Sequence, residues 1–532
     1  MYSKKGASQA VGATNRTKDD INPISGLCGT CSESCIGICE VGRSAIRGPE
    51  MIYPQPFGDV TAASVKSYPI DWGDFNIMGT AVGANGIEAN SDKAIFPNAN
   101  IKTVLGAKNG KEGIKLRIPI TIPGLGSTDV AKKNWEALAA GSALSGVLLT
   151  VGENVVGMDE DAEITDGKVK SSPALKHRIE TYKSWQRDGY GAIIVQENVE
   201  DNKLGVLEYA IKNGADGVEI KWGQGAKNIG GEVKIRNLKK AQMLKRRGYI
   251  VLPDPNDPKV IKAFEKKAFK EFERHSRLGM VSEKGFAERV LELRKAGAKY
   301  IFLKTGAYRF SDLARAVAFC SKYKVDVLTI DAAGGGTGMS PWRMMNEWGT
   351  PPIETFQKAF EYASKLSKEG KHIPDLVFAG GFSMEDHIFK GLAFGEPFAK
   401  AIGMSRAPLT AVMSSKALWR RINEESEQSL IDKYGRDKDE IFYGATKIKG
   451  ILNEKFDDLP SGALGVITYF MRIDQGLRQL MAGSRKFDIS KKGCRPDRND
   501  LVALTKNTSE ITDIPSIIDH DKKEAEEILN FS

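Results

Sequence analysis

The chain has 532 residues, 41% of them hydrophobic and 27% charged, with 55 glycines; this is the composition of a soluble globular protein, long enough for one barrel of roughly 250 to 400 residues plus added segments. Its formal charge of +9 arises from 77 basic and 68 acidic residues that are interspersed without a basic block, which argues for a solvated lysine-rich surface and against a nucleic-acid partner. No apolar run approaches the ~20 residues of a membrane span and the N-terminus lacks the apolar core of a secretory signal, so no membrane span and a cytoplasmic location are expected.

In chain order, residues 1 to about 25 are polar and aperiodic and read as a tail. Cys28, Cys31, Cys35 and Cys39 follow at once, in the spacing C-x2-C-x3-C-x3-C. A disulfide framework does not suit a long cytosolic chain. The spacing is close to the C-x2-C-x2-C-x3-C run that wraps an iron–sulfur cluster, and 4Fe-4S is the favoured reading; a structural zinc site takes the same four thiolates but usually splits them into two separated knuckles. From about 50 to 115 the text is rich in Gly, Asn and Asp and reads as an irregular wrapping segment.

From Arg117 onward, short apolar runs alternate with longer amphipathic stretches, the pattern of a parallel sheet or barrel. The runs are RIPITIPG (117–124), SGVLLTVGE (145–153), GAIIVQEN (191–198), DGVEIKWG (216–223), AKYIFLKTG (298–306), VDVLTIDAAG (325–334), DLVFAGGF (375–382) and FAKAIGMSR (398–406). Eight strands predict a (β/α)8 TIM barrel over 116–420, after a cysteine-rich extension (1–115) and before a helical C-terminal segment (421–532). The stretch from 224 to 297 is too long for one connection and predicts an inserted excursion; the competing reading takes its IVLPDP as a ninth strand of an open sheet.

In such a barrel the site lies at the C-terminal ends of the strands. Strand seven ends in Gly380-Gly381 and strand eight in Gly403-Met404, the two loops where barrels commonly hold phosphate on backbone N–H groups. Lys304 closes strand five, where an ammonium suits an anion or the negative charge that a reduced flavin develops at N1 and O2; the plainer alternative is a lysine reaching solvent. Gln196 closes strand three and both donates and accepts, as the pyrimidine edge of an isoalloxazine requires. Gly124-Leu125-Gly126 closes strand one and allows close backbone approach to the ring. After strand four come Lys221, Gln224 and Lys227 among glycines, a set suited to a carboxylate-bearing substrate, with a solvated basic loop as the rival. Five histidines, none closing a strand, disfavour histidine-based acid–base chemistry. Cys320 reads as core, and Cys494 is assigned no role.

Strand six reads TIDAAGGGTGMSP, which resembles the ISGHDGGTGASP segment of the FMN-binding domain of glutamate synthase, matching from Gly335 through Pro341 except at one position. VEIKWGQGAK is similar to that family's EIKMAQGAKPG, NEWGTPPIET to its HAGxPWE, PGLGSTDVAKKNWEALAAGSALSG to its MSFGSISxEAHxALAxAMNxxG, and YFMRIDQGLRQLMAGSRKFDI to its closing helix. The resemblance spans about residues 115 to 490. It implies FMN, with Gly124 and Gly126 against the ring, Gly335 in the strand-six loop, Lys304 reaching N1 and O2, and Gly380, Gly381, Gly403 and Met404 on the phosphate. Glu153 stands where the family has the glutamate of NTGEGG, and Lys221, Gln224 and Lys227 approach the 2-oxo acid. Lys304, Glu153 and Gln224 are the expected catalytic residues. The implied reaction reduces a 2-imino acid, formed from a 2-oxo acid and ammonia, to an amino acid.

Three departures bear on that reaction. Ala333-Gly334 replaces the His-Asp pair of GHDGG, NTGEGG becomes VGENVV, and the cysteines that hold a 3Fe-4S cluster after strand eight are absent from GMSRAPLTAVMSSK. An FMN oxidoreductase acting on another amine or carboxylate, and a flavin and iron–sulfur electron-transfer subunit, are therefore alternatives. Without a glutaminase text or a G-x-G-x-x-G nucleotide fingerprint, ammonia and electrons are expected from partners: a separate glutaminase subunit, and ferredoxin or an electron-transfer subunit. The chain itself is expected to form an oligomer.

Overall fold

The computed structural model describes residues 33, 40–48, 52, 66–108, 110–225, 227, 232–334 and 340–530. Eight parallel strands close into a barrel: β1 (Ile120–Leu125), β2 (Leu148–Val151), β3 (Ala192–Glu197), β4 (Gly217–Lys221), β5 (Ile301–Thr305), β6 (Val327–Asp331), β7 (Asp375–Ala379) and β8 (Ala399–Gly403). Seven fall within the apolar runs, and β1 passes the end of its run by one residue, Leu125. The strands are almost wholly buried because helices cover the outer face and side chains fill the interior.

The covering helices include α1 (Asp129–Ser145), α2 (Pro173–Trp185), α3 (Val206–Lys212), α4 (Glu283–Lys295), α5 (Phe310–Lys322), α6 (Pro352–Lys368), α7 (Glu385–Gly395) and α8 (Arg406–Asn423). Their ends follow local chemistry. Thr128 caps α1 by accepting from the Ala131 N–H, and Gly146 stops it in the left-handed region at φ 66. Cys320 lies buried on α5, as core. In the C-terminal segment a long helix, α9 (Ser461–Gly483), packs on α1 and α8. Small residues set that approach: a Cβ on Gly141 would lie 2.7 Å from Val466 Cβ.

Within the 224–297 stretch, residues 232–275 form an insertion outside the barrel ahead of α4, which excludes the nine-stranded open sheet. Strands Glu232–Ile235, Ile250–Leu252 and Phe272–His275 form a three-stranded antiparallel sheet with the last in the middle. Its core of Ile235, Leu244, Tyr249, Val251 and Phe272 also buries Met158 from the loop after β2. Arg247 fastens it there, donating from Nη1 to the Gly157 carbonyl at 2.9 Å. The insertion thus sits over the catalytic end of the barrel.

The opposite end is sealed by a hairpin, Thr103–Leu105 with Ile114–Leu116. Its Leu105, Ile114 and Leu116 join Phe302, Ile194, Val327, Val377 and Ala401 in one buried cluster. Its polar atoms are matched: Gly106 N–H donates to Asp375 Oδ2 at 2.7 Å, Lys108 pairs with Asp375 at 2.6 Å, and Lys111 pairs with Asp326 at 2.7 Å. Among the described residues no helix is long and apolar enough to cross a membrane.

Candidate active site

Along a strand, alternate side chains share a face, so the inward residue after Phe302 is Lys304 and the one after Ile194 is Gln196. One step up each strand the interior changes from hydrocarbon to polar groups. Lys304 is 4% exposed, and its Nζ lies 3.0 Å from Asp331 Oδ2 at the end of β6. Burial works against its charge, but Asp331 and the nearby Glu219 outweigh it and raise its pKa, so Lys304 is an ammonium. Glu219, inside β4, accepts from Gln196 Nε2 and from Thr329 Oγ1 at 3.2 Å. Burial raises its carboxyl, opposed by Lys304 and these donors. The Oε1 of Gln196 is buried with no hydrogen-bond partner among the described residues, and it would lie 2.9 Å from a Cβ placed on Gly124. An unpaired buried acceptor thus borders the backbone of β1.

Above this floor opens a cavity of about 2170 Å³ lined by Gly124, Leu125, Gly126, Glu153, Gln224, Lys227, Lys304, Gly380, Gly381, Gly403 and Met404. The expected strand-end residues converge on one mouth, and the volume exceeds the ~300–1,000 Å³ of a single small-molecule pocket. Gly380 needs its missing Cβ: at φ +113 a side chain would stand 2.9 Å from the Ala332 carbonyl oxygen. A Cβ on Gly403 would lie 2.8 Å from Ala379 Cβ. These positions leave bare backbone facing the cavity.

The loop after β2 supplies Glu153, whose Oε1 accepts from Lys221 Nζ at 2.6 Å; the same ammonium reaches Gln224 Oε1 at 2.7 Å. Burial would raise the Glu153 carboxyl, but the Lys221 charge and hydrogen bond prevail and hold it at about 2. Lys227 is buried 3.4 Å from Glu232 of the insertion, and burial pushes its ammonium down to about 8 against the pull of Glu232. Behind Glu153, Asn154 adopts φ 65. Its N–H donates to Asp201 at 2.8 Å, and its Oδ1 accepts from Asn198 at 3.1 Å and from Tyr249 and Ser276 at 3.4 Å each. One asparagine therefore ties the Glu153 loop to the insertion.

The insertion contributes Arg274, fully buried yet lining the cavity. It donates to Ser276 Oγ at 2.9 Å and lies over the Tyr249 ring; its Nε has no partner among the described residues. The cavity is thus bordered by a buried guanidinium with a donor to spare.

A family model described as a conserved region in glutamate synthase matches residues 274–418. A glutamate synthase large subunit-like protein of Rhizobium meliloti (strain 1021) is 26% identical over 407 residues, covering 74% of each chain. Over its barrel the chain is thus similar to glutamate synthase. Among solved structures, the flavin-binding domain of baker's yeast flavocytochrome b2 has a TM-score of 0.44 at 13% identity, covering 81% of this chain and 76% of that one. The (S)-mandelate dehydrogenase of Pseudomonas putida has 0.43 at 12%, covering 81% and 88%. Likeness at this level adds nothing to the barrel traced above.

The region matched to glutamate synthase begins at Arg274 and contains Lys304, Asp331 and the glycines of β7 and β8. Of the residues expected at the site, Lys304 faces the cavity and not the solvent, and Gln196 and Lys221 lie just beneath its lining. Gly335 and the four cysteines, Cys28, Cys31, Cys35 and Cys39, fall outside the described residues. Among the described residues no cluster of three or more His, Cys, Asp or Glu side chains is placed to hold a metal. Arg274, Glu219 and Asp331 were not anticipated. Glu219 carried a legible signal, an acid at an inward position of an apolar strand; Arg274 carried none, because nothing local says which way an insertion folds.

Proposed function

We propose that this chain is a divergent glutamate-synthase-like enzyme, an FMN- and Fe-S-dependent oxidoreductase that reduces a 2-imino acid, formed from a 2-oxo acid and ammonia, to an amino acid. The observation that carries the reading is the buried Lys304 ammonium, set in the cavity floor beside the unpaired Oε1 of Gln196 and beneath the bare glycine backbone of β7 and β8. These groups fit FMN. Gln196 Oε1 is an acceptor for the ring's imide N–H, Lys304 faces the edge where reduction places negative charge, and Gly380, Gly381, Gly403 and Met404 offer backbone N–H groups to the phosphate. Gly124, Leu125 and Gly126 permit close approach to the ring, and the sequence resemblance adds Gly335 to the cofactor-binding residues. When bound, FMN supplies the hydride.

The chain's own groups do the rest. Arg274 and Lys227 receive the carboxylates of a 2-oxo or amino acid. Glu153, held at about 2, stays a carboxylate at neutral pH and fixes Lys221 and, through it, Gln224 against the reacting carbon. Lys227, at about 8, exchanges a proton near neutral pH and is the better proton donor. The four cysteines would hold a 4Fe-4S cluster, which would supply electron transfer from ferredoxin or a partner subunit, in the cytoplasm, with ammonia from a separate glutaminase subunit or from solution.

The test is a half-reaction. Protein purified without oxygen should contain FMN, and once reduced it should be reoxidised by a 2-oxo acid plus ammonium. Reoxidation only by a different amine or carboxylate substrate would replace the proposed reaction, and none by any small molecule would favour a flavin/Fe-S electron-transfer subunit. About four irons per chain are expected after anaerobic reconstitution; stoichiometric zinc without iron would end the cluster assignment.

A further inference from the structure

We infer that Asp331 is a further residue of the flavin site, one that lowers the potential at which a flavin held against Lys304 is reduced by cancelling part of that ammonium's charge. The inference rests on the FMN reading above and concerns how this particular site is poised.

The geometry sets up a competition. Asp331 Oδ2 lies 3.0 Å from Lys304 Nζ, and among the described residues it is the one carboxylate within ion-pair distance of that ammonium. Both side chains line the cavity, so the pair is presented to whatever binds there and not buried away from it. Asp331 is the last residue of β6 and pairs in register with Ala379 of β7, while Lys304 pairs with Thr329. Asp331 therefore stands one inward position above Lys304's neighbour, on the side toward the mouth. Gly225 holds the strand end close: a Cβ there would meet the Ala332 carbonyl oxygen at 2.0 Å and Asp331 Oδ1 at 3.2 Å.

Glu219 does not play the same part. It lies on the floor, engaged by Gln196 and Thr329, and desolvation favours its neutral form. Asp331 is the carboxylate that faces the cavity beside the cation. A lone ammonium at the N1–O2 edge stabilises the anionic reduced ring and any nucleophile addition that places an electron pair there. A carboxylate at contact distance from that ammonium, in a site of low polarity, removes a large part of the effect.

Sulfite reads this directly. Its lone pair forms a bond to flavin N5 and the ring's electron pair moves to the N1–O2 edge, bleaching the visible band without turnover. Asp331→Asn should tighten sulfite binding by at least ~10-fold and raise the FMN midpoint potential, whereas Asp331→Glu, which restores the charge, should stay near wild type. Asp331→Ser serves the same purpose should the amide variant fail to fold. Wild-type protein that carries FMN, with sulfite affinity and potential unchanged in the neutral variants, would overturn the inference alone. Wild-type protein that binds no FMN would overturn the functional reading and this inference together.

Discussion

The two ends of the barrel are built from the same eight strands yet obey opposite rules. At the hairpin end every carboxylate has a partner: Asp375 takes Lys108 and the Gly106 N–H, Asp326 takes Lys111, and the interior above them is hydrocarbon. At the mouth, polar groups are held short of satisfaction. Gln196 Oε1 and Arg274 Nε are buried without partners, burial pushes Lys227 down to about 8, and Asn154 is kept in the left-handed region. Unpaired buried groups are costly, and the two that border the cavity mark where a ligand would complete the structure. The hairpin end gains stability by pairing its buried carboxylates, whereas the mouth gives up stability to stay receptive.

The contrast sharpens under substitution, and the largest effect falls on the floor. Lys304→Met leaves Asp331 and Glu219 without their cation and should lower unfolding free energy by about 3–5 kcal/mol, measured by urea denaturation. A loss below about 1 kcal/mol would mean that the floor is not held by this ammonium. Arg274→Met should weaken binding of a 2-oxo acid by roughly 30- to 100-fold, about 2–3 kcal/mol, with little change in stability because an unsatisfied donor is removed; titration calorimetry separates the two. Lys108→Met should do the reverse, lowering stability by about 1–2 kcal/mol and leaving FMN content untouched, and lost flavin there would dissolve the distinction between the ends.

A further effect is a pH dependence behind Glu153. Burial raises the Asp201 carboxyl to about 7, with the Asn154 and Asn198 N–H groups opposing and Glu153 and Glu197 adding to the rise. The folded state therefore binds a proton there that the unfolded chain has already released, so this group's contribution is fully present below pH 4 and is lost as pH rises to about 7. Asp201→Asn should flatten stability over that window; an unchanged slope would place the titration elsewhere.

Much of this was written in the chain. Eight apolar runs gave eight strands because a buried parallel strand must be apolar on both faces, and α1 ended where glycine permits a left-handed cap, at Gly146. The strand-end glycines and Lys304 were legible for the same reason: an ammonium closing an apolar strand, or paired glycines after strands seven and eight, has few structural uses. Glu219 is visible once period two is applied to VEIK. Other features had no local trace. Nothing in FERHS shows that Arg274 turns into the barrel mouth, since that depends on how a three-stranded insertion docks on Met158. Nothing in TIDAA shows that Asp331 meets Lys304, since that contact is made between adjacent strands 27 residues apart in sequence. Periodicity and turn chemistry are local properties and are fixed by neighbours in the chain, whereas ion pairing across strands and the burial of a charge depend on barrel closure, which only the folded chain provides.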